Sequence, residues 1–190
     1  PIRLCYDHCF HLGTAIVFME QLAYNLETDV GVEEEVLLEI ANPGRYDKLG
    51  FIEAVWTPLS HPDEKRHDPG KVRQIMDPKD LIGKSFTYKL QLFSMKNLRM
   101  KVSSCYCQYN FFGETFTTER IENLDTDNPA LKYECIHHVD KVTKNFLNYL
   151  AMDTLKLNIF VQPVVQNSTA EPLSTKNRTL ASSLGAYSVV

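Results

Sequence analysis

Four potential metal ligands crowd the first residues of the chain: Cys5, His8, Cys9 and His11. Thiolate and imidazole suit zinc, but structural zinc sites join two separated ligand pairs, such as C-x2-C with H-x3-H. Four ligands packed into one short segment that is entering a strand do not fit that scheme, so scattered side chains are expected. His137 and His138 are neighbours on a strand-like run; they point to opposite faces and cannot chelate together. Cys107 and His138 are the one imaginable nucleophile and base. Cysteines that alternate along a strand, however, are far more often small buried apolar groups. No G-x-S-x-G elbow, P-loop, H-E-x-x-H or glycine-rich dinucleotide loop occurs. Eight glycines leave little for cradling phosphates. The expectation is a non-catalytic chain with no metal and no cofactor of its own.

Binding chemistry is what remains. Between Ser94 and Val102, the apolar Met95, Leu98 and Met100 interleave with Lys96, Arg99 and Lys101. Apolar insertion and attraction to lipid phosphate combine in such a pattern, and the competing reading is a solvated loop. Lys96, Arg99, Met100 and Lys101 are the candidate contacts for a partner or a lipid surface. At the other end of the sequence, Ser188 stands two places before the apolar Val190, the pattern of a PDZ ligand read by strand addition and carboxylate capture. That motif needs Val190 to be the native terminus; the alternative is an apolar tail that packs back on the fold. A net charge of −4 gives no overall drive toward nucleic acid. No stretch approaches the roughly 18–20 apolar residues of a membrane-spanning helix. An odd set of five cysteines without a regular framework suits reduced thiols in the cytosol.

The elements that position these residues are mostly strands. Thr14–Leu22 is rich in β-branched and aromatic residues, Val36–Ala41 ends at the turn signal Asn42-Pro43-Gly44, and Gly50–Leu59 holds Trp56. Apolar content collapses from Ser60 to Lys79, which reads as an exposed connection. In Phe86–Phe93 the residues Phe86, Tyr88, Leu90 and Leu92 share one face; Ser103–Phe112 puts Cys105 and Cys107 on one face and Tyr106 on the other. Glu114–Thr118, Leu131–Val139 and Leu155–Val161 complete about eight strands, a number typical of an antiparallel Greek-key sandwich. Val142, Phe146, Tyr149 and Leu150 recur at helical spacing, which predicts a short helix near 141–151 with Asp140 as N-cap.

The stretch from Ser85 to Val161 resembles a C2-type sandwich, with Asp127-Asn128-Pro129 as a corner before Leu131-Lys132-Tyr133. A closer resemblance is to the tail of kinesin-3 motors, carried by His11-Leu12-Gly13-Thr14-Ala15-Ile16-Val17-Phe18, Gln21-Leu22-Ala23-Tyr24, Cys107-Gln108-Tyr109-Asn110-Phe111 and Val142–Leu150. Within that family the chain is most similar to the kinesin-like protein 6 subgroup, which lacks a pleckstrin homology domain. His11–Tyr24 resembles the penultimate strand of a C2 domain and yet comes first. One sandwich over 1–163 is therefore expected, with 1–60 completing the strands of 81–163, a linker at 61–80 and a tail at 164–190.

The resemblance implies a module that binds cargo, or that holds the motor inactive by contacting its own motor domain. ATP and magnesium then belong to a motor domain absent from this chain. It implies a cytoplasmic, cytoskeleton-associated protein of cilia or neurons. The alternative it leaves open is a calcium-independent, lipid-binding C2 domain. Calcium needs six to eight oxygen ligands. The Ser94–Val102 loop offers no acid, and only Asp7 stands before Leu12-Gly13.

Overall fold

The computed structural model describes residues 9–26, 37–42, 44–45, 47–59 and 75–164. Alternating sequence becomes alternating burial. Phe86, Tyr88, Leu90 and Leu92 are all buried, while Thr87, Lys89 and Gln91 look outward. The strands are β1 (Phe10–Phe18), β2 (Leu37–Ala41), β3 (Lys48–Leu59), β4 (Phe86–Lys96), β5 (Val102–Phe111), β6 (Glu114–Thr117), β7 (Ala130–Val139) and β8 (Thr154–Pro163). Two helices, α1 (Glu20–Ala23) and α2 (Lys144–Met152), and a 3-10 turn at Pro78–Leu81 accompany them.

All pairings are antiparallel, in the order β6-β5-β8-β1-β2-β3-β4-β7. The sheet curls until its two ends face each other as an all-β sandwich. Phe111 of β5 meets Tyr88 of β4 at 5.2 Å between ring centroids, and Phe116 of β6 meets His137 of β7 at 4.5 Å. The fold line lies between β1 and β2, which share the single register pair Thr14↔Ala41. Gly13 permits that approach, because a Cβ there would sit 2.8 Å from the Ala41 carbonyl. Trp56 is buried on the β3 side and packs on Tyr88 at 4.8 Å.

Three local readings are corrected. The first strand begins at Phe10 rather than Thr14 and stops at Phe18, because its partner β8 begins opposite it at Thr154. Beyond it Met19, Leu22 and Ala23 are buried at i, i+3, i+4 spacing, which is one helical turn, not a strand. The later helix starts at Lys144, capped by Thr143, whose hydroxyl accepts from the Phe146 amide. Asp140 cannot cap it. Its carboxylate lies 3.0 Å from His138 Nε2, and Val142 is bonded both ways to Gly83 and Lys84. Finally, β4 runs on to Lys96, so Ser94, Met95 and Lys96 pair with Glu53, Ile52 and Phe51 instead of starting a loop.

Candidate interaction surface

The loop from Asn97 to Lys101 turns at one end of the sandwich. Leu98 is buried beneath Gly50, whose φ of +147° and lack of a Cβ leave it room: a Cβ there would lie 2.9 Å from the Leu98 methyl. Met95 is fully buried and Met100 half-buried. Arg99 and Lys101 are exposed, and Lys96 is half-buried. The sequence alone does not reveal the neighbour of this loop, the stretch 121–129. Leu98 donates to the Asp127 carbonyl, Asn97 to Asn128 Oδ1 and Val102 to the Thr126 carbonyl, and Lys101 forms a 3.3 Å ion pair with Asp125. Of the three cations, Lys101 is thus held by an acid, and Arg99 is the exposed one beside it.

The outer surface of β6-β5-β8-β1 is a second candidate, and register builds it. Tyr106 of β5 lies opposite Phe160 of β8, which lies opposite His11 of β1. Tyr106 and Phe160 stack at 4.8 Å and 5°, and His11 tilts against Phe160 at 5.3 Å. In the next row Gln108 donates to Thr117, and Thr14 donates to Asn158 Oδ1 at 2.9 Å. Ile16 and Phe18 continue the face along β1, both exposed. Lys156 is the charged residue on these strands' outer side. Cross-strand hydrogen bonds satisfy the polar groups here, leaving a neutral, aromatic and amide-rich plane. Charge depletion with aromatic enrichment is the composition of interface cores.

Arg120 anchors the rim of this plane. Its guanidinium donates to Ser104 Oγ and Gln162 Oε1, both at 2.9 Å, and pairs with Glu122 at 3.3 Å. Reciprocal backbone bonds between Cys105 and Ile121 lay 118–126 along the free side of β5. No sequence pattern flags this arginine, since its partners lie on distant strands.

The imagined nucleophile and base, Cys107 and His138, are not brought together. Cys107 faces the core, where burial pushes its thiol up to about 12. His138 faces out from β7, bonded to Thr87 at 2.6 Å. Inside, His137 accepts from or donates to the Tyr109 hydroxyl at 2.9 Å, and Tyr109 meets Tyr133 at 3.1 Å. Burial lowers the His137 pKa to about 4, so the ring is neutral at pH 7 and accepts through Nε2 or donates from it according to its tautomer. Cys9 lies 3.5 Å from Ser104 Oγ, and His11 lies 3.3 Å from Thr14 on the outer face. Cys5 and His8 lie outside the described residues, as do Ser188 and Val190. Among the described residues no group of three or more His, Cys, Asp or Glu is placed to hold a metal, and no helix is long and apolar enough to cross a membrane.

No protein-family profile matches the chain. It is similar to kinesin-like protein KIF1A of Rattus norvegicus, 24% identical over 82 residues, which are 42% of this chain and 5% of that protein. The match spans a small part of its relative's length. It relates the chain to kinesins and distinguishes no subgroup among them.

Proposed function

We propose that this chain is a non-catalytic tail module of a kinesin-3 motor, of the sort found in the kinesin-like protein 6 subgroup. Its role is to bind a partner protein: cargo, or the parent's own motor head in an inactive state. The similarity to a kinesin carries this reading. The charge-poor face of β6-β5-β8-β1 supports it, because a neutral aromatic plane is suited to a protein partner. Arg99, with Lys96 and Lys101 beside it, would steer an acidic partner toward the sandwich end. ATP hydrolysis and its magnesium stay with the motor domain, and the module works on the cytoskeleton of the cytoplasm, in cilia or neurons. An intramolecular contact gains from effective concentration, so a weak isolated affinity suffices to keep a motor closed.

The lipid-binding alternative has less behind it. Of the three apolar residues in the basic loop, Met95 and Leu98 point into the core and Met100 is half-covered, which leaves little to insert into a bilayer.

Full-length parent protein with and without this module provides the test. Its removal is expected to raise microtubule-stimulated ATPase activity or to abolish cargo recruitment. Reversing charge at Lys96, Arg99 and Lys101 together is expected to reproduce part of either effect. A parent protein whose ATPase and cargo recruitment both ignore removal of the module would overturn the proposal.

A further inference from the structure

The two ends of the sheet are finished differently. β6 closes one end with four residues, short enough to blunt an edge, whereas β7 closes the other with ten. One side of β7 pairs with β4. Among the described residues, no main-chain hydrogen bond reaches the other side of Tyr133–His137. Such a row of unpaired N–H and C=O groups is a template for one more strand. β7 carries an edge defence at its start, where Lys132 has a φ of +51° and the register slips between Leu92 and Ser94. Beyond it, Tyr133–Val139 pairs with Phe86–Leu92 without a register shift and contains no Lys, Arg or Pro to deter a further strand. Its one acid, Glu134, is already engaged by Lys89 and Gln91.

The side chains of this stretch are ordered to meet a copy of themselves. Glu134, Ile136 and His138 form its exposed outer row. Antiparallel pairing of all of Tyr133–Val139 with itself places Ile136, the middle residue, on a twofold axis. Ile136 then meets Ile136 of the second copy, and Glu134 meets the second copy's His138. The result is an apolar pair flanked on both sides by an acid opposite an imidazole. Slipping the pair by two residues sets Glu134 against Asp140 in one direction and against Ile136 in the other. A slip of one residue turns the outer row onto the inner one. Charge order and overlap therefore select the same register.

We propose that β7 docks on β7 of a second copy of this chain, antiparallel through Tyr133–Val139, so that the two β3-β4-β7 layers run on as one sheet. This pairing does not depend on the similarity to a kinesin. It leaves the outer face of β6-β5-β8-β1 open, so breaking it changes the mass of the chain in solution and not the partner binding proposed above.

Sedimentation equilibrium of the whole chain is expected to show the 21.8 kDa monomer giving way to a dimer as concentration rises toward about 1 mM. Ile136→Lys sets two like charges against each other on the axis and is expected to weaken the dimer about tenfold or more. Ile16→Lys, on the exposed outer side of β1, is expected to leave it unchanged. Both positions are exposed, and thermal melting checks that each variant folds. Register is read by cross-linking. Residues directly opposite each other in an antiparallel pair lie within disulfide reach, so Ile136→Cys is expected to link two copies under mild oxidation beyond the level of the unaltered chain. Lys132→Cys is expected not to, because its own copy lies far along the strand. A chain that stays monomeric to about 1 mM would overturn the proposal. So would an undiminished dimer in folded Ile136→Lys, an equal loss in Ile16→Lys, or linking by Ile136→Cys no greater than by Lys132→Cys.

Discussion

The two outer faces of the sandwich are made from the same kind of alternating strand and finish differently. On the β3-β4-β7 side, Glu134 takes Lys89 at 3.5 Å and Gln91 at 3.0 Å, Ser94 donates to Glu53, and His138 meets Asp140. That surface is charged and satisfies itself, pair by pair. On the β6-β5-β8-β1 side, Thr14–Asn158, Gln108–Thr117 and the Tyr106–Phe160 stack do the same work with almost no charge. Solubility needs only one of these finishes. A neutral aromatic plane kept in contact with water is the surface whose composition a partner protein would use.

Both faces hang on one interior, and its loss is the largest effect expected. Phe111 of β5 touches Tyr88, His137, Phe146 and Tyr149, so it ties the two sheets and α2 together. Phe111→Ala is expected to cost about 3–5 kcal/mol. Chemical denaturation would show it, and a cost near zero would mean that the sheets do not share a core.

Acid should act on the same junction. His137 is neutral in the folded state because burial lowers its pKa to about 4, whereas the unfolded chain takes up a proton near 6.5. Stability from this group is therefore complete above about pH 6.5, falls as pH drops, and levels off below about 4, for a total of at most about 3 kcal/mol. The hydroxyls of Tyr109 and Tyr133, raised by burial, do not titrate in that window. Denaturation midpoints between pH 7 and 4 measure the slope, and His137→Gln should flatten part of it. An equal slope in that variant would assign the acid sensitivity to titrating groups other than His137.

Smaller effects sharpen the contrast of the faces themselves. Glu134→Ala removes an exposed pair and should cost under about 1 kcal/mol, less still at high salt. Asn158→Ala removes the acceptor of a half-buried neutral bond and should cost about 1 kcal/mol, independent of salt. Denaturant melts at low and high salt compare the two; a salt-dependent Asn158→Ala would count against a neutral face.

Much of this architecture is legible along the chain. Clean alternation in Phe86–Phe93 and Leu155–Val161 marks buried faces, and Trp56 lies in the core it shares with Tyr88. Helix boundaries are less legible, because Asp140 looks like a cap until His138 is seen to hold it. The interaction surfaces are the least legible. Met95 looks like a loop residue beside Lys96, yet the extra length of β4 turns it inward. The neutral face joins His11, Tyr106 and Phe160 through register across distant strands, and no linear pattern carries that.

The face itself is tested most directly by one substitution made twice. Ile16 on β1 is 48% exposed and Ile136 on β7 is 58% exposed, so glutamate at either leaves the core alone. Microtubule-stimulated ATPase of the full-length parent is measured for Ile16→Glu and Ile136→Glu, with cargo recruitment beside it. The prediction is that Ile16→Glu raises the ATPase or lowers recruitment while Ile136→Glu leaves both unchanged. The account is contradicted if Ile136→Glu produces the effect and Ile16→Glu does not, or if neither does while removal of the whole module still activates the motor.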